Sequence, residues 1–354
     1  MKKNKVIFVH DYFENLGGGE KLILSLVKKK DTLITSFTNK KIKKFLPKIK
    51  ILSIQKYNSL KILNKLFVII SFYFFKFKKK EKNIFVSGNY SLFLNLDNFR
   101  NKIFYCHSLP KLFFRYKDFY YNKNLILNFF NSFFSPIFKF IYLINIKKFD
   151  YILTNSNYTK KKLEKYLKKK INIINPPIKN YYKKNIKNKN FFLSNNRHEL
   201  EKNIDKIIEV FNKLKDKKII IISEGSLTKK LKMLSKSNNI KFMGIVDEYD
   251  YQKLLNECIA TINISSKEDF GMSALEGMSA GKPAIVVNQG GYLETCKKNY
   301  NSFIINHNNL EKNLYNLIKN FNFRKAKKMS TNCKKTAKLY SSDSFYKKIN
   351  SLFI

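Results

Sequence analysis

The 354-residue chain has no tryptophan and only four cysteines, Cys106, Cys258, Cys296 and Cys333. They are widely scattered, with no C-x-x-C pair, which excludes a disulfide framework and suits a reducing cytoplasm. No two aspartates stand two positions apart, and the histidines and cysteines show no metal-ligand spacing, so no metal site is expected. A G-x-G-x-x-G fingerprint is absent, and so is any internal repeat. The opening MKKNKVIFVHDYF has a basic head, but its apolar run stops at His10 and Asp11, too short for the core of a signal peptide. The expected location is therefore cytoplasmic.

Long apolar runs are missing too. Leu60 to Phe77 carries LFVIISFYFF and runs into Lys78, Lys79 and Lys80, while Leu125 to Ile146 contains Pro136 and Lys139. Neither reads as a membrane span. Two readings stay open for these segments. They are buried core helices, or they form a face resting on the inner surface of the cell membrane, with aromatics in the interface and lysines on anionic headgroups.

Acidic residues are the last scarcity. Against 70 Lys and Arg stand 25 Asp and Glu, a formal net charge of +45. Such a balance points to an anionic partner: nucleic acid, a phosphorylated substrate or an acidic membrane. Lys, Asn, Ile, Phe and Tyr also have A/T-rich codons, so mutational bias is a second source of the lysines. The lysines are spread over every segment with no recognisable binding module, and no nucleic-acid partner is expected.

What is present reads as two α/β domains. The length is about twice that of a usual domain. In the first half, a strand at Val6 to Val9 leads through Gly17, Gly18 and Gly19 into a helical run from Glu20 to Lys30. Further buried parallel strands are expected at Asn83 to Ser87, Lys102 to Cys106 and Tyr151 to Thr154. Asn175-Pro176-Pro177 and the lysine- and asparagine-rich stretch to Asn190 read as a linker. Beyond it, strands are expected at Phe191 to Ser194, Lys218 to Ser223, Ile240 to Met243, Ala260 to Ile264 and Pro283 to Val287, with a helix over Asn203 to Lys215. This alternation predicts a second doubly wound sheet.

Chemistry concentrates in Lys267 to Glu294. Glu268 follows a strand directly and Glu276 comes eight positions later on the next helix, so both carboxylates sit at the carboxyl edge of a sheet, where open α/β folds bind ligands. Gly271 permits close approach to a ligand, and the N–H groups of Met272 and Ser273 at a helix start suit an anionic or hydroxylated group. Gly290 and Gly291 mark a second strand-to-helix turn at that edge. Arg197 and Lys202 follow the first strand of this half, and arginine is scarce in this chain. Two cations there could neutralise a diphosphate.

The string EDFGMSALEGMSAGKPAIVVNQGGYLET resembles the E-x7-E donor segment of the family 4 glycosyltransferases, which are retaining enzymes of the GT-B fold. The resemblance implies two Rossmann-like domains facing each other across a cleft: an acceptor domain at 1–180, a nucleotide-sugar domain at 190–335, and a helix in 336–354 that crosses back to the first. It implies that Glu268 contacts hydroxyls of the transferred sugar and Glu276 holds the nucleotide ribose, with Phe270, Gly271, Met272 and Ser273 lining the same site. Arg197 and Lys202 match the pair that binds the donor diphosphate, and Gly17, Gly18 and Gly19 match the N-terminal glycine loop. Tyr105-Cys106-His107 resembles a segment of the mannosyltransferase-like members, which marks His107 as an active-site residue and GDP-mannose as the favoured donor. The implied activity is metal-independent hexosyl transfer, with no cofactor, to a lipid-linked glycan in surface-polysaccharide synthesis. Departures are Asn196, where Gly or Ser usually precedes the arginine, and Ser266-Lys267 ahead of Glu268. The rival readings are a basic nucleic-acid-binding protein, an inactive membrane-associated scaffold, and a phosphorylase or synthase acting on soluble glucan.

Overall fold

The computed structural model describes residues 5–14, 17–39, 46, 50–55, 61–77, 80–110, 114, 125–184 and 186–353. Its contacts divide the chain into a first unit, 1–176 with 345–354, and a second unit, 177–344.

In the first unit a seven-stranded parallel sheet runs in the order β3-β2-β1-β4-β5-β6-β7. Its strands are β1 (Val6–His10), β2 (Thr32–Thr35), β3 (Lys50–Ser53), β4 (Glu81–Ser87), β5 (Phe99–Cys106), β6 (Tyr151–Thr154) and β7 (Ile171–Ile173). The central strands are apolar on both sides because both sides are covered. Ile7, Val9, Ile84, Val86 and Phe104 pack with Val68 and Phe72 of α2 (Lys61–Phe74) and with Tyr142 and Ile146 of α3 (Leu125–Lys147). Val6, Phe8, Phe85, Ile103 and Tyr105 face the opposite way. They meet Leu22, Ile23 and Leu26 of α1 (Gly18–Leu26) and Phe345 and Ile349 of the last helix. That helix begins at Ser342, and the crossing expected from 336 joins the first unit only from 345. Asn101 donates to the Leu352 carbonyl at 2.7 Å and holds the returning segment in place.

The second unit repeats the design with six parallel strands in the order β10-β9-β8-β11-β12-β13. These are β8 (Phe192–Ser194), β9 (Ile219–Ile222), β10 (Ile240–Gly244), β11 (Ala260–Asn263), β12 (Ala284–Val287) and β13 (Ser302–Ile305). Helix α5 (Ile204–Lys213) buries Ile204, Ile207, Ile208 and Phe211, spaced as one face of a helix requires. Each such burial stabilises by about 1.5–3 kcal/mol. The expected linker to Asn190 is instead partly built into this unit: Ile178 and Tyr181 are buried, and the Ile178 N–H donates to the Tyr340 carbonyl at 2.8 Å. Helix α4 (Asn157–Glu164) follows β6 in the first unit.

The two apolar segments left open by sequence contain α2 and α3, and the described side chains of each are buried on one face only. Phe67, Ile70, Tyr73 and Phe74 of α2 are exposed, as are Phe133, Phe134, Ile137, Phe140, Ile141 and Ile144 of α3. Both helices pack on the same side of the sheet, against the turn at Ser91–Phe93. Among the described residues, no helix is long and apolar enough to cross a membrane.

One packing contact fixes a residue choice in the second unit. After α6 (Thr228–Leu234) and α7 (Glu248–Glu257) comes α8 (Met272–Ser279), and its Gly277 lies so close to β11 that a Cβ there would stand 2.6 Å from the Thr261 methyl. Gly277→Ala is expected to destabilise the protein by about 1–3 kcal/mol through overpacking. A urea titration should show a lower midpoint at unchanged slope.

Candidate functional site

Each sheet reverses its strand order once, between β1 and β4 and between β8 and β11. At such a point the connections leave in opposite directions and open a crevice beyond the carboxyl ends of the two strands. The polar residues singled out by sequence collect at these two places.

In the second unit, Lys202 stands on the β8–α5 connection and Glu268 on the β11–α8 connection. Their side chains form an ion pair, Nζ to Oε2 2.7 Å, with the side chains 15% and 19% exposed. The partly buried pair is shielded from the screening that makes surface pairs weak. Two sets of bonds hold the loops in register. The Ser266 N–H donates to the Glu201 carbonyl at 2.8 Å, and Asn203 Nδ2 donates to the Ile264 carbonyl at 2.8 Å and to Ser266 Oγ at 2.9 Å. Asn203 adopts a left-handed φ of 53°, a conformation asparagine tolerates, and so can reach across.

Glycines close the Glu268 loop from the other side. Gly291 N–H donates to the Glu268 carbonyl at 2.7 Å, and a Cβ at Gly290 would stand 2.5 Å from that oxygen. The second glycine turn thus exists to let backbone meet backbone. Gly271 has a φ of +91°, and a Cβ there would stand 2.7 Å from the Tyr292 ring, so its close neighbour in the fold is an aromatic side chain.

Glu276 is oriented by a polar chain that crosses the switch point. Asn263 Nδ2 donates to Asn195 Oδ1 at 2.8 Å, Asn195 Nδ2 donates to the Tyr251 hydroxyl at 2.8 Å, and that hydroxyl donates to Glu276 Oε2 at 2.6 Å. Burial, followed by the Glu276 charge, lifts the Tyr251 hydroxyl far above its ordinary pKa, so it stays a donor. The first turn of α8 leaves the Met272 and Ser273 N–H groups outside the helical bonding pattern.

In the first unit the switch point brings together His10, Ser87 and His107. Ser87 Oγ lies 2.7 Å from His107 Nε2 and 3.3 Å from His10 Nδ1. The glycine turn belongs to the same cluster: a Cβ at Gly19 would stand 3.4 Å from His107 Nε2, and Gly17 N–H donates to Glu20 Oε2 at 3.0 Å. Asn155 Nδ2 donates to the His107 carbonyl at 2.8 Å and fixes the backbone. The Asp11 carboxylate accepts from the N–H groups of Asn89, Tyr90 and Ser91 at 2.7–2.9 Å, and Gly88 (φ +123°) is required because a Cβ would stand 2.3 Å from Asp11 Oδ1.

Of the residues expected from sequence, the structure joins Lys202 to Glu268 and Gly19 to His107. Gly17, Gly18 and Gly19 open α1, with Gly17 its N-cap. Arg197 lies on the Lys202 connection but extends into solvent. Phe270 is 2% exposed and packs on Tyr340, so its ring is core and only its backbone is left for a ligand. Met272 is partly packed on the same core. Sequence reasoning missed Asn195, Asn263, His10, Asp11 and Ser87, whose only local signal is a polar residue at or just past the end of an apolar strand, and Glu20 and Tyr251, which lie on helices and carry no such signal. Among the described residues, no three His, Cys, Asp or Glu side chains converge as metal ligands.

Comparison with known proteins adds to this geometry. Residues 179–339 match the family model of glycosyl transferases group 1, which spans nearly the whole second unit. The chain is 31% identical over 189 residues to an alpha-1,3/1,6-mannosyltransferase of Dictyostelium discoideum, covering 46% of this chain and 42% of that protein. It is 27% identical over 198 residues to an uncharacterized glycosyltransferase of Methanocaldococcus jannaschii, covering 54% and 56%. The chain therefore spans about half the length of the curated relatives it matches. Among solved structures, Anabaena HepE in complex with UDP-glucose has a TM-score of 0.75 at 15% identity, with 98% of both chains covered. WaaG, a glycosyltransferase involved in lipopolysaccharide biosynthesis, has a TM-score of 0.67 at 12% identity, covering 98% and 99%. At these identities they establish the fold, two Rossmann-like α/β units of the GT-B kind.

The Tyr251 hydroxyl serves two partners, so its removal leaves a buried amide and a carboxylate short of a bond. Tyr251→Phe is expected to cost about 1.5–3 kcal/mol, the range of a hydrogen bond to a charged group. Equilibrium unfolding in urea, compared with the wild-type chain, measures it.

Proposed function

We propose that this chain, whose residues 179–339 match the family model of glycosyl transferases group 1, transfers a hexosyl group from a nucleotide-diphosphate sugar with retention of configuration. The observation that carries the proposal is the half-buried Lys202–Glu268 pair, with Glu276 eight positions on at the same sheet edge. A cation and two carboxylates at a switch point match the parts of such a donor: a diphosphate, a sugar with hydroxyls and a ribose.

Transfer breaks the bond between the anomeric carbon and the leaving phosphate oxygen and forms one to the acceptor oxygen. Negative charge grows on the diphosphate as the sugar becomes oxocarbenium-like. Lys202, Arg197 and the N–H groups of Met272 and Ser273 are the groups that stabilise it, assisted by the positive end of α8, and they require no metal. On donor binding Lys202 exchanges the Glu268 carboxylate for the diphosphate, which releases Glu268 to accept from sugar hydroxyls. Glu276, held by Tyr251, accepts from the ribose. The proton of the acceptor hydroxyl passes to the departing phosphate oxygen, so no side chain is assigned as general base.

Mannose is the favoured sugar and GDP the favoured carrier, supported by the Tyr105-Cys106-His107 segment and by the mannosyltransferase among the relatives. The UDP-glucose complex of a fold neighbour supports a nucleotide-diphosphate donor in general. The acceptor is a lipid-linked glycan of surface-polysaccharide synthesis, reached at the inner membrane face. That assignment rests on the exposed apolar faces of α2 and α3, which carry aromatics beside Lys76, Lys139, Lys147 and Lys148. Aromatic residues suit the headgroup region and lysines suit anionic lipid.

In a thermal-shift screen of GDP, UDP, ADP and their sugar conjugates, one nucleotide sugar is expected to raise Tm equally with and without EDTA. Lys202→Ala should then lower kcat/KM by about 10²–10³-fold with the fold intact. Unchanged turnover would sink the assignment. For the acceptor side, replacing Phe133 and Phe140 by Ser should reduce partitioning onto phosphatidylglycerol vesicles by about tenfold or more, from the loss of two apolar insertions. A wild-type chain that ignores such vesicles, or pairs through this face in gel filtration, removes the membrane assignment.

A further inference from the structure

We infer that Glu20, His10 and Ser87 form a relay that fixes the tautomer of His107, leaving its Nε2 an acceptor and its Nδ1–H a donor directed away from the relay. The relay rests on the donor-site reading only for what that N–H binds; the tautomer belongs to the free protein.

The relay is built by strand register. His10 ends β1 and pairs directly with Ser87 at the end of β4, and Ser87 pairs with Tyr105, two residues before His107. Glu20 is the third residue of α1, where one carboxylate oxygen takes the Gly17 N–H at 3.0 Å and the other lies 4.0 Å from His10 Nε2. Four side chains from three strand ends and one helix start therefore line up in the order Glu20, His10, Ser87, His107.

Proton bookkeeping and the two contact lengths point to one direction. Ser87 has one hydroxyl proton and two imidazole neighbours, so it can donate to only one of them. The 2.7 Å contact to His107 Nε2 is short, as expected when the hydroxyl is the donor, while 3.3 Å to His10 Nδ1 fits a longer N–H···O bond. Glu20 favours a charged His10, whose Nδ1–H then points at Ser87. The groups facing His10 are Glu20, the adjacent Asp11, Ser87 and, through it, His107.

The ionisation balance agrees. Burial lowers the His10 pKa, but Glu20, and then Asp11, outweigh it and leave it above the ordinary histidine value. Burial, then the charge on His10, brings His107 down to about 3 against the smaller opposing effect of Glu20. His107 is neutral at physiological pH and a poor base, yet a competent donor to a sugar hydroxyl. Glu20, His10 and Ser87 are positioning residues. Above the His10 pKa, neutral His10 keeps its proton on the Glu20 side and presents Nδ1 as a rival acceptor for the Ser87 proton, so the fixed tautomer is lost as pH rises.

With only four histidines, ¹⁵N-histidine labelling of the full chain resolves each ring, assigned by His198→Asn and His307→Asn. His107 is expected to show an unprotonated Nε2 and a protonated Nδ1 below the His10 midpoint, with His10 titrating above an ordinary histidine. Ser87→Ala should bring out the Nε2–H form of His107, Ser87→Thr should restore the original, and Glu20→Gln should move the His10 midpoint down. A charged or Nε2–H His107 in the wild-type chain at pH 6, or His107 signals unmoved by Ser87→Ala, overturns the relay. Calorimetry with UDP-glucose and GDP-mannose is read separately: absence of binding to either removes the donor-site reading and leaves the tautomer result standing.

Discussion

Reversal of strand order in a parallel sheet is the constraint on which the rest of this molecule depends. Elsewhere along the sheet edge, consecutive connections cover the strand ends. At the reversal they diverge, and the ends of two neighbouring strands stay open. Polar groups can be covered there and still find hydrogen-bond partners across the opening, and the chain uses both openings. Asn195 and Asn263 flank one, and His10 and Ser87 flank the other. Each pair is the start of a hydrogen-bonded line that ends on a side chain singled out by sequence, Glu276 in one unit and His107 in the other.

The two lines differ in what they transmit. Tyr251 orients a carboxylate by donating to it, so the end group stays a charged acceptor. Ser87 instead passes a proton position along, so the end group stays a neutral donor. In both, a hydroxyl between two partners acts as the coupling element, because it is the side-chain group that donates once and accepts as well. The same logic explains why the Lys202–Glu268 pair stands outside both lines. An ion pair held by loop staples from Asn203 and Ser266 can exchange its partner without disturbing the core beneath it.

Much of the framework was legible because buried parallel strands are continuously apolar. β1, β4, β6, β8, β9, β10, β11 and β12 coincide, within a residue or two, with apolar runs read from sequence, and β5 starts three residues earlier than its run. β2, β3, β7 and β13 were not read. β3 is an edge strand with exposed residues, β7 has three residues, and β2 and β13 carry polar positions in four-residue strands. Among functional residues, Glu268 and Glu276 were visible because their spacing is local, one loop and one helix turn beyond a strand. His10, Glu20, Ser87 and His107 lie far apart in sequence, and only parallel register makes them neighbours. Phe270 shows what the string leaves unread. It sits inside the string singled out by sequence, yet its side chain is buried in the core, a distinction that spacing does not carry.

Charge scarcity made the remaining inference possible. In a chain with 70 basic residues, a lysine near a sheet edge says little, since lysines occur in every segment. With only 25 acids, an acid that is half-buried at a switch point is far less common. Lys202 is therefore identified less by its own position than by Glu268, which removes it from the solvated majority. Glu20 does the same for His10, and no feature of the histidine itself would have separated it from a structural residue. Desolvation makes these assignments physical: a partly buried charge must be matched or it shifts its protonation. Where the acid lies thus decides which cation or imidazole has a defined state, in each unit separately.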